Sequence, residues 1–488
     1  MAASIVTSGS KAAALYPHAR PQVKIDLDGQ TATTYTTYTT GDRVEGTVTI
    51  TASHLISFDQ VDIKLEGSQT VTVERGTVPG RAGATQTFLR LRQPIDDDSY
   101  PTPRVLEPGC TYRFPFTFVV PQRLLPHICS HQKTNAHVER SHTLLIPSLG
   151  DRDDMSPDGA RVTYQIRAEV IQKPVVGSPK CLKDAQKKIR IVPAIEEEPP
   201  LNVLDNDPLY RTRREKDVKR GLMRPRQGRL VAAASQPKPL QLCPGSQSEN
   251  PVSTAATIHL RFDPVGEEEP PSLGTVWSKL RVATYYAVSA WQDYPNSSMA
   301  PVTEMCDQGM YDKTVPLSTL CVAGAQWTKQ LSNSVIRRDS VQSTSSAESI
   351  TGPSVCFAGN TYYTAALTVP VTLPTGKAFV PTFHSCLISR FHVLELCLSY
   401  HTSNMNILTP TISLKLPIQI TSAPSKALDS SEREEITQEQ VDAEFFRPRN
   451  VAPPVFDPVA TPPVYSEYTQ FPVRSNPLAE TRPQEVQV

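Results

Sequence analysis

Apolar residues recur at every second position through some four hundred residues of this chain, and that period lines one face of a strand rather than one stripe of a helix. Val23, Ile25 and Leu27 alternate with Lys24, Asp26 and Asp28. Past the Gly41-Asp42 turn the pattern resumes at Val44, Gly46, Val48 and Ile50. It runs on through Val61, Ile63 and Leu65, then Val71 and Val73, then Tyr112, Phe114, Phe116, Phe118 and Val120, and ends this stretch with Val162, Tyr164, Ile166, Ala168 and Val170. Nothing comparable occurs at helical spacing. Short strands separated by turn residues bury one face only against a second sheet, so residues 22–193 are expected to form a β-sandwich.

A charged stretch follows, Glu196-Glu197-Glu198-Pro199-Pro200 and then the run from Arg211 to Gly221, and residues 194–224 read as a connector. Alternation returns at Leu230, Ala232 and Ala234, at Ile258, Leu260 and Phe262, and at Leu280, Val282, Thr284, Tyr286 and Val288. It continues at Tyr363, Ala365, Leu367 and Val369, at Leu394, Leu396 and Leu398, and at Ile412, Leu414, Leu416, Ile418 and Ile420. A second β-sandwich is therefore expected over 225–421. Its Ser/Thr-rich stretch 332–354 reads as a mobile loop between strands. Residues 1–21 and 422–488 read as disordered flanks; beyond Thr421 ten prolines and a cluster of acids oppose a packed core. Ser431 with Glu434 fits a capping box before Ile436, Val441 and Phe445, beside the alternative of a solvated acidic tail.

The 488 residues suffice for two ordinary domains and a tail. Forty-nine basic and 49 acidic side chains cancel, so no whole-molecule field steers the chain toward nucleic acid. Nine cysteines stand singly, without CxxC spacing, which suits reduced thiols in a reducing compartment. Residues Met1–Ala14 carry one lysine and no sustained apolar core, and nowhere do eighteen apolar residues run together. The expectation is a soluble, cytoplasmic protein.

Within the tail, Thr461-Pro462-Pro463-Val464-Tyr465 is a Pro-Pro-x-Tyr peptide. Two adjacent prolines preset φ near −65° and favour polyproline II, so a shallow aromatic groove of the WW-domain type binds such a segment with little ordering entropy lost. Pro462 and Pro463 would lie between aromatic rings of the domain, and Tyr465 would insert beside them. Pro453-Pro454-Val455-Phe456 is a near-copy that keeps a ring but lacks the hydroxyl, worth on the order of 0.5–1.5 kcal/mol net, and so is a weak second site at best.

Several segments resemble the α-arrestins, closely so the fungal members. They are Tyr38 to Val48 with its Gly41-Asp42 and Gly46, Tyr112 to Pro121 with the following Leu124-Leu125-Pro126, and Leu414-Lys415-Leu416-Pro417-Ile418. Ile146 to Asp151, and Val218 to Arg226 leading into Ala234-Ser235-Gln236-Pro237, also look like that family, and the order of these motifs spans most of residues 23–421. The resemblance implies two tandem arrestin-type, immunoglobulin-like β-sandwiches. It further implies that the tail engages a WW-domain ubiquitin ligase of the HECT type while the body touches a membrane transporter or receptor. Ubiquitination would then mark that cargo for endocytosis, with the protein peripheral at plasma membrane and endosomes. A ligase-independent endosomal trafficking scaffold of the same fold is the alternative.

Three further features carry candidate chemistry. Arg211, Arg213, Arg214, Lys216, Lys219, Arg220, Arg224 and Arg226 make a local basic patch that either faces anionic lipid or forms ion pairs within the fold. Arg337-Arg338-Asp339-Ser340 fits a basophilic kinase site at Ser340. His127, Cys129, His131, His137 and His142 offer zinc-type ligands, but they lack the paired spacing of a compact zinc motif, and the family pattern carries no known metal there. The expectation is a metal-free loop against the sandwich. No nucleophile with its base, carboxylate pair or phosphate-cradling glycine loop is spaced for catalysis, so neither an enzyme nor a cofactor is expected.

Overall fold

The computed structural model describes residues 20–30, 37–74, 80–174, 177–201, 203, 207–219, 226–244, 251–295, 307–331, 352–355, 357, 359–402 and 409–424. These residues are nearly all β, with one α-helix among them, Ala136–His142. The Pro-Pro-x-Tyr peptide, its near-copy, the capping box, Ser340, Arg220 and Arg224 lie outside the described residues.

The alternating runs become facing sheets. In the first sandwich, Gln22–Leu27, Arg43–Thr51 and Thr111–Val119 form a three-stranded sheet. Its antiparallel register sets Ile25 beside Val48 and Val48 beside Phe114, so the inward residues form a continuous row. The opposing sheet orders Thr37–Tyr38, Lys180–Ile191, Ala160–Gln172, Gln60–Glu74 and Arg81–Arg92. Ile63 and Ala168 are partners there. Side chains from both sheets make one core, in which Val44, Val48, Ile63, Leu65, Tyr164 and Ile166 are fully buried. Each such aliphatic side chain contributes roughly 1.5–3 kcal/mol of burial free energy.

The second sandwich repeats the plan. One sheet orders Arg213–Lys219, Arg226–Ala233, Ser253–Pro264, Thr361–Thr372 and Thr328–Leu331. The other orders Gln308–Cys321, Ser272–Ala287, Ile388–His401 and Phe383–His384, with Thr411–Ile418 also on Ile388–His401. Leu280, Leu394 and Leu416 stand side by side across three strands and are all fully buried.

The expected connector over 194–224 is corrected in part. Arg213–Lys219 is an edge strand of the second sandwich, paired antiparallel with Arg226–Ala233. Only Val218 of its seven residues is buried, so the apolar alternation that marks a strand is missing there. The expected loop 332–354 is described only from 352 onward. That end is tied down: Ser354 N–H donates to Asp263 Oδ2 at 2.8 Å, and Arg213 Nη2 donates to the carbonyls of Gly352 and Pro353.

The two sandwiches share a boundary rather than only a linker. Val380, Phe383, Cys386, Leu387 and Ile388 belong to the second half of the chain yet pack into the core of the first sandwich. The turn between Phe383–His384 and Ile388–His401 is closed by Ser385 N–H donating to the Ile388 carbonyl at 2.9 Å.

Candidate functional site at the sandwich junction

The turn at 385–387 reaches the first sandwich through the side chain of Ser385. Ser385 Oγ donates to Gln69 Oε1 at 2.8 Å, Gln69 Nε2 donates to Gln86 Oε1 at 2.7 Å, and Gln86 Nε2 donates to the Ile128 carbonyl at 3.2 Å. This relay runs from the second sandwich, through two strands of the first, to the residue before Cys129. Gln69 is fully buried, so breaking the relay strands an amide away from water, at roughly 1–3 kcal/mol.

The connection after Thr111–Val119 folds over the same place. A short 3-10 turn, Pro126–Ile128, delivers Cys129 into the interior. Lys133 Nζ donates to the Cys129 carbonyl at 2.6 Å and holds the bend that follows. Asn135 then caps the helix Ala136–His142, accepting from His137 N–H and Val138 N–H, both at 3.0 Å. The helix buries Val138, Ser141 and His142, and Ser141 Oγ pairs with Tyr294 OH of the second half at 2.9 Å.

These elements bring four side chains together. Cys129 Sγ lies 3.0 Å from His131 Nε2, 3.3 Å from His142 Nδ1 and 3.5 Å from Cys386 Sγ. Cys386 Sγ is 3.8 Å from His142 Nδ1, and the four ligand-type atoms all lie within 4.8 Å of one another. Cys129, His142 and Cys386 are buried; His131 is half-buried. Burial raises the Cys386 thiol to about 12, with Cys129 adding to the effect. Burial, helped by His131 and Lys133, lowers His142 to about 4. The His384 ring packs against His142 at a tilt, with ring centroids 4.6 Å apart. Burial first, then the two neighbouring imidazoles, lowers it to about 3.

The segment 127–142 packs against the first sandwich, and it brings three of its five candidate ligands to one point. His127 and His137 point outward and take no part, whereas Cys129, His131 and His142 converge. The fourth member, Cys386, was missed because it is 257 residues from Cys129 along the chain. Spacing rules find ligands that one turn presents, and this set is assembled by the packing of two domains. Asn135 was the legible signal for the helix, being a strong capping residue ahead of Val138 and Glu139.

Four of the six described basic side chains of the patch, Arg213, Arg214, Lys216 and Arg226, are engaged within the fold. Arg213 pairs with Glu215 at 2.8 Å, Arg226 with Asp217 at 3.2 Å, and Lys216 Nζ donates to the Thr411 carbonyl at 2.8 Å. Arg214 Nη1 donates to Ser413 Oγ at 2.9 Å, and Arg211 exchanges main-chain hydrogen bonds with Lys415. Lys219 lies exposed at the strand end.

Compared with protein-family models and with curated proteins, the chain matches none. No helix among the described residues is long and apolar enough to cross a membrane.

Proposed function

We propose that this chain is an α-arrestin-like adaptor. In this reading the tail recruits a WW-domain ubiquitin ligase of the HECT type through Pro462, Pro463 and Tyr465. The two-sandwich body meets a plasma-membrane transporter or receptor, and ubiquitination of that cargo drives its endocytosis. The reading assigns the chain no catalytic step.

The observation that carries the proposal is the placement of the Pro-Pro-x-Tyr peptide some forty positions past the last strand among the described residues, Ile420–Ser422, on a chain whose preceding residues build two joined β-sandwiches. A rigid body with a separate linear motif suits a protein that holds two partners at once, because the second encounter then proceeds at raised effective concentration. The family motifs in sandwich order supply the class of cargo.

Proximity labelling in the native cell tests the proposal, comparing wild type with Tyr465→Ala. Ligase peptides are expected to vanish while membrane-cargo peptides persist. Unchanged ligase labelling overturns the recruiting role of the motif. Normal cargo internalisation after deletion of residues 422–488 favours the ligase-independent scaffold instead.

A further inference from the structure

We propose that Cys129, His131, His142 and Cys386 form a structural zinc site that clips the second sandwich to the first. It goes beyond the adaptor reading and does not depend on it.

Geometry supports four-coordinate zinc. With Zn–S near 2.3 Å and Zn–N near 2.0–2.1 Å, a tetrahedron has edges of roughly 3.8 Å between sulfurs, 3.6 Å between sulfur and nitrogen and 3.3 Å between nitrogens. The S···S edge is 3.5 Å, and the S···N edges to His142 are 3.3 and 3.8 Å. The remaining Cys129–His131 edge, at 3.0 Å, opens by about half an ångström on coordination. His131 sits half-buried in the bend before the helix. The widest separations, up to 4.8 Å, contract by about an ångström as a shared ion draws the atoms in.

The His131 tautomer and the charge balance agree. His131 Nδ1 lies 3.0 Å from the Gln132 carbonyl, an acceptor only, so Nδ1 carries the proton and Nε2 presents its lone pair toward Cys129. A metal-bound imidazole commonly has this backing. His142 presents Nδ1 to both sulfurs, and its Nε2 is buried without a hydrogen-bond partner. Two thiolates neutralise the dication, so the filled site brings no net charge into the interior. Two soft sulfurs with two imidazoles favour zinc over magnesium or calcium.

A disulfide is the rival chemistry for Cys129 and Cys386. Their sulfurs stand 3.5 Å apart, against about 2.05 Å in a bond, and a disulfide gives no reason for two imidazole nitrogens to meet at the same point.

The test uses the full chain purified from zinc-replete cells without chelator. Elemental analysis is expected to find one zinc per chain in wild type and in Cys110→Ser, an exposed cysteine that serves as control, and none in Cys386→Ser. So that the result does not hang on the folding of the serine variant, chelator-stripped, reduced wild type is also titrated with Co²⁺. Tetrahedral d–d bands with thiolate charge transfer, saturating at one equivalent, support the site. Cys386→His, which keeps a ligand, is expected to retain binding. Stripping the metal is expected to raise hydrogen exchange at 127–142 and 384–390 together. Substoichiometric zinc with no Co²⁺ spectrum overturns the proposal. So does full zinc in Cys386→Ser, or a Cys129–Cys386 disulfide as the major form.

Discussion

Arg390 Nη1 donates to the main-chain carbonyl of Asp154 at 2.7 Å, which joins a strand of the second sandwich to a loop of the first. Nη2 donates to the Met155 carbonyl at 2.9 Å and to Thr284 Oγ1 at the same distance. Arg390 is fully buried, and burial lowers its guanidinium to about 10, with the nearby Asp154 carboxylate opposing that shift. Met155 holds a left-handed φ of 58°, the one non-glycine residue among those described that does so, and its carbonyl takes part in the contact.

Replacing Arg390 with Met removes every donor from this contact and leaves two buried carbonyls and the Asp154 carboxylate without their cation. The expected loss is about 3–5 kcal/mol, read as a fall in the urea midpoint, together with faster proteolysis between residues 150 and 158. Arg390→Lys keeps the charge but loses the fork, and is expected to fall between the two.

A pH dependence follows from His392. Burial, with Arg390 beside it, lowers its imidazole to about 3 from the ordinary 6.5, and its Nδ1 pairs with Thr382 Oγ1 at 3.0 Å. Between those values the unfolded chain binds the proton and the folded chain does not. This residue therefore leaves stability unaffected above about pH 6.5 and erodes it as pH falls toward 3. By pH 5 the cost is about 2 kcal/mol. In His392→Asn the denaturation midpoint is expected to drop less than in wild type between pH 7.5 and 5; parallel pH profiles contradict the assignment.

Gly67 is one place where the first core cannot take a methyl group. A Cβ there would stand 2.7 Å from the Phe88 ring and 2.9 Å from Tyr164, two rings packed edge to face with centroids 5.5 Å apart. Gly67→Ala is expected to cost about 1–3 kcal/mol. Gly83→Ala, in the neighbouring strand and in ordinary 3.5 Å contact with the Val71 carbonyl, is expected to change stability by no more than about 0.5 kcal/mol. Equal thermal midpoints for the two variants contradict the packing argument.

The basic edge strand separates two roles for positive charge. Because Arg213 and Lys216 are engaged by Glu215 and by the Thr411 carbonyl, Arg213→Gln with Lys216→Gln is expected to lower stability by roughly 1–2 kcal/mol. Co-sedimentation with vesicles rich in anionic lipid is expected to change less than twofold. A large loss of vesicle binding at unchanged stability would show a lipid-facing patch instead.

Alternation was enough to find the sandwiches, because Val44, Val48 and Ile50, or Leu394, Leu396 and Leu398, each place every second side chain in a core. It failed at Arg213–Lys219, where an edge strand buries only Val218 and Glu215 sits between arginines rather than among apolar groups. It also carried no information about the junction. Arg390 interrupts the apolar order of its strand, and only the approach of the Asp154 loop explains a cation there. Cys386 is likewise ordinary in its own segment, and gains meaning only when Cys129 and His142 arrive from the other domain.

The recruiting role of the tail is tested most directly by calorimetric titration of the purified full-length chain with an isolated WW domain from a HECT-type ligase. Saturable binding at one site per chain is expected for wild type, weakened at least tenfold, about 1.4 kcal/mol, in Tyr465→Ala and little affected in Phe456→Ala. Equal affinity for wild type and Tyr465→Ala, or no binding by either, contradicts the adaptor account.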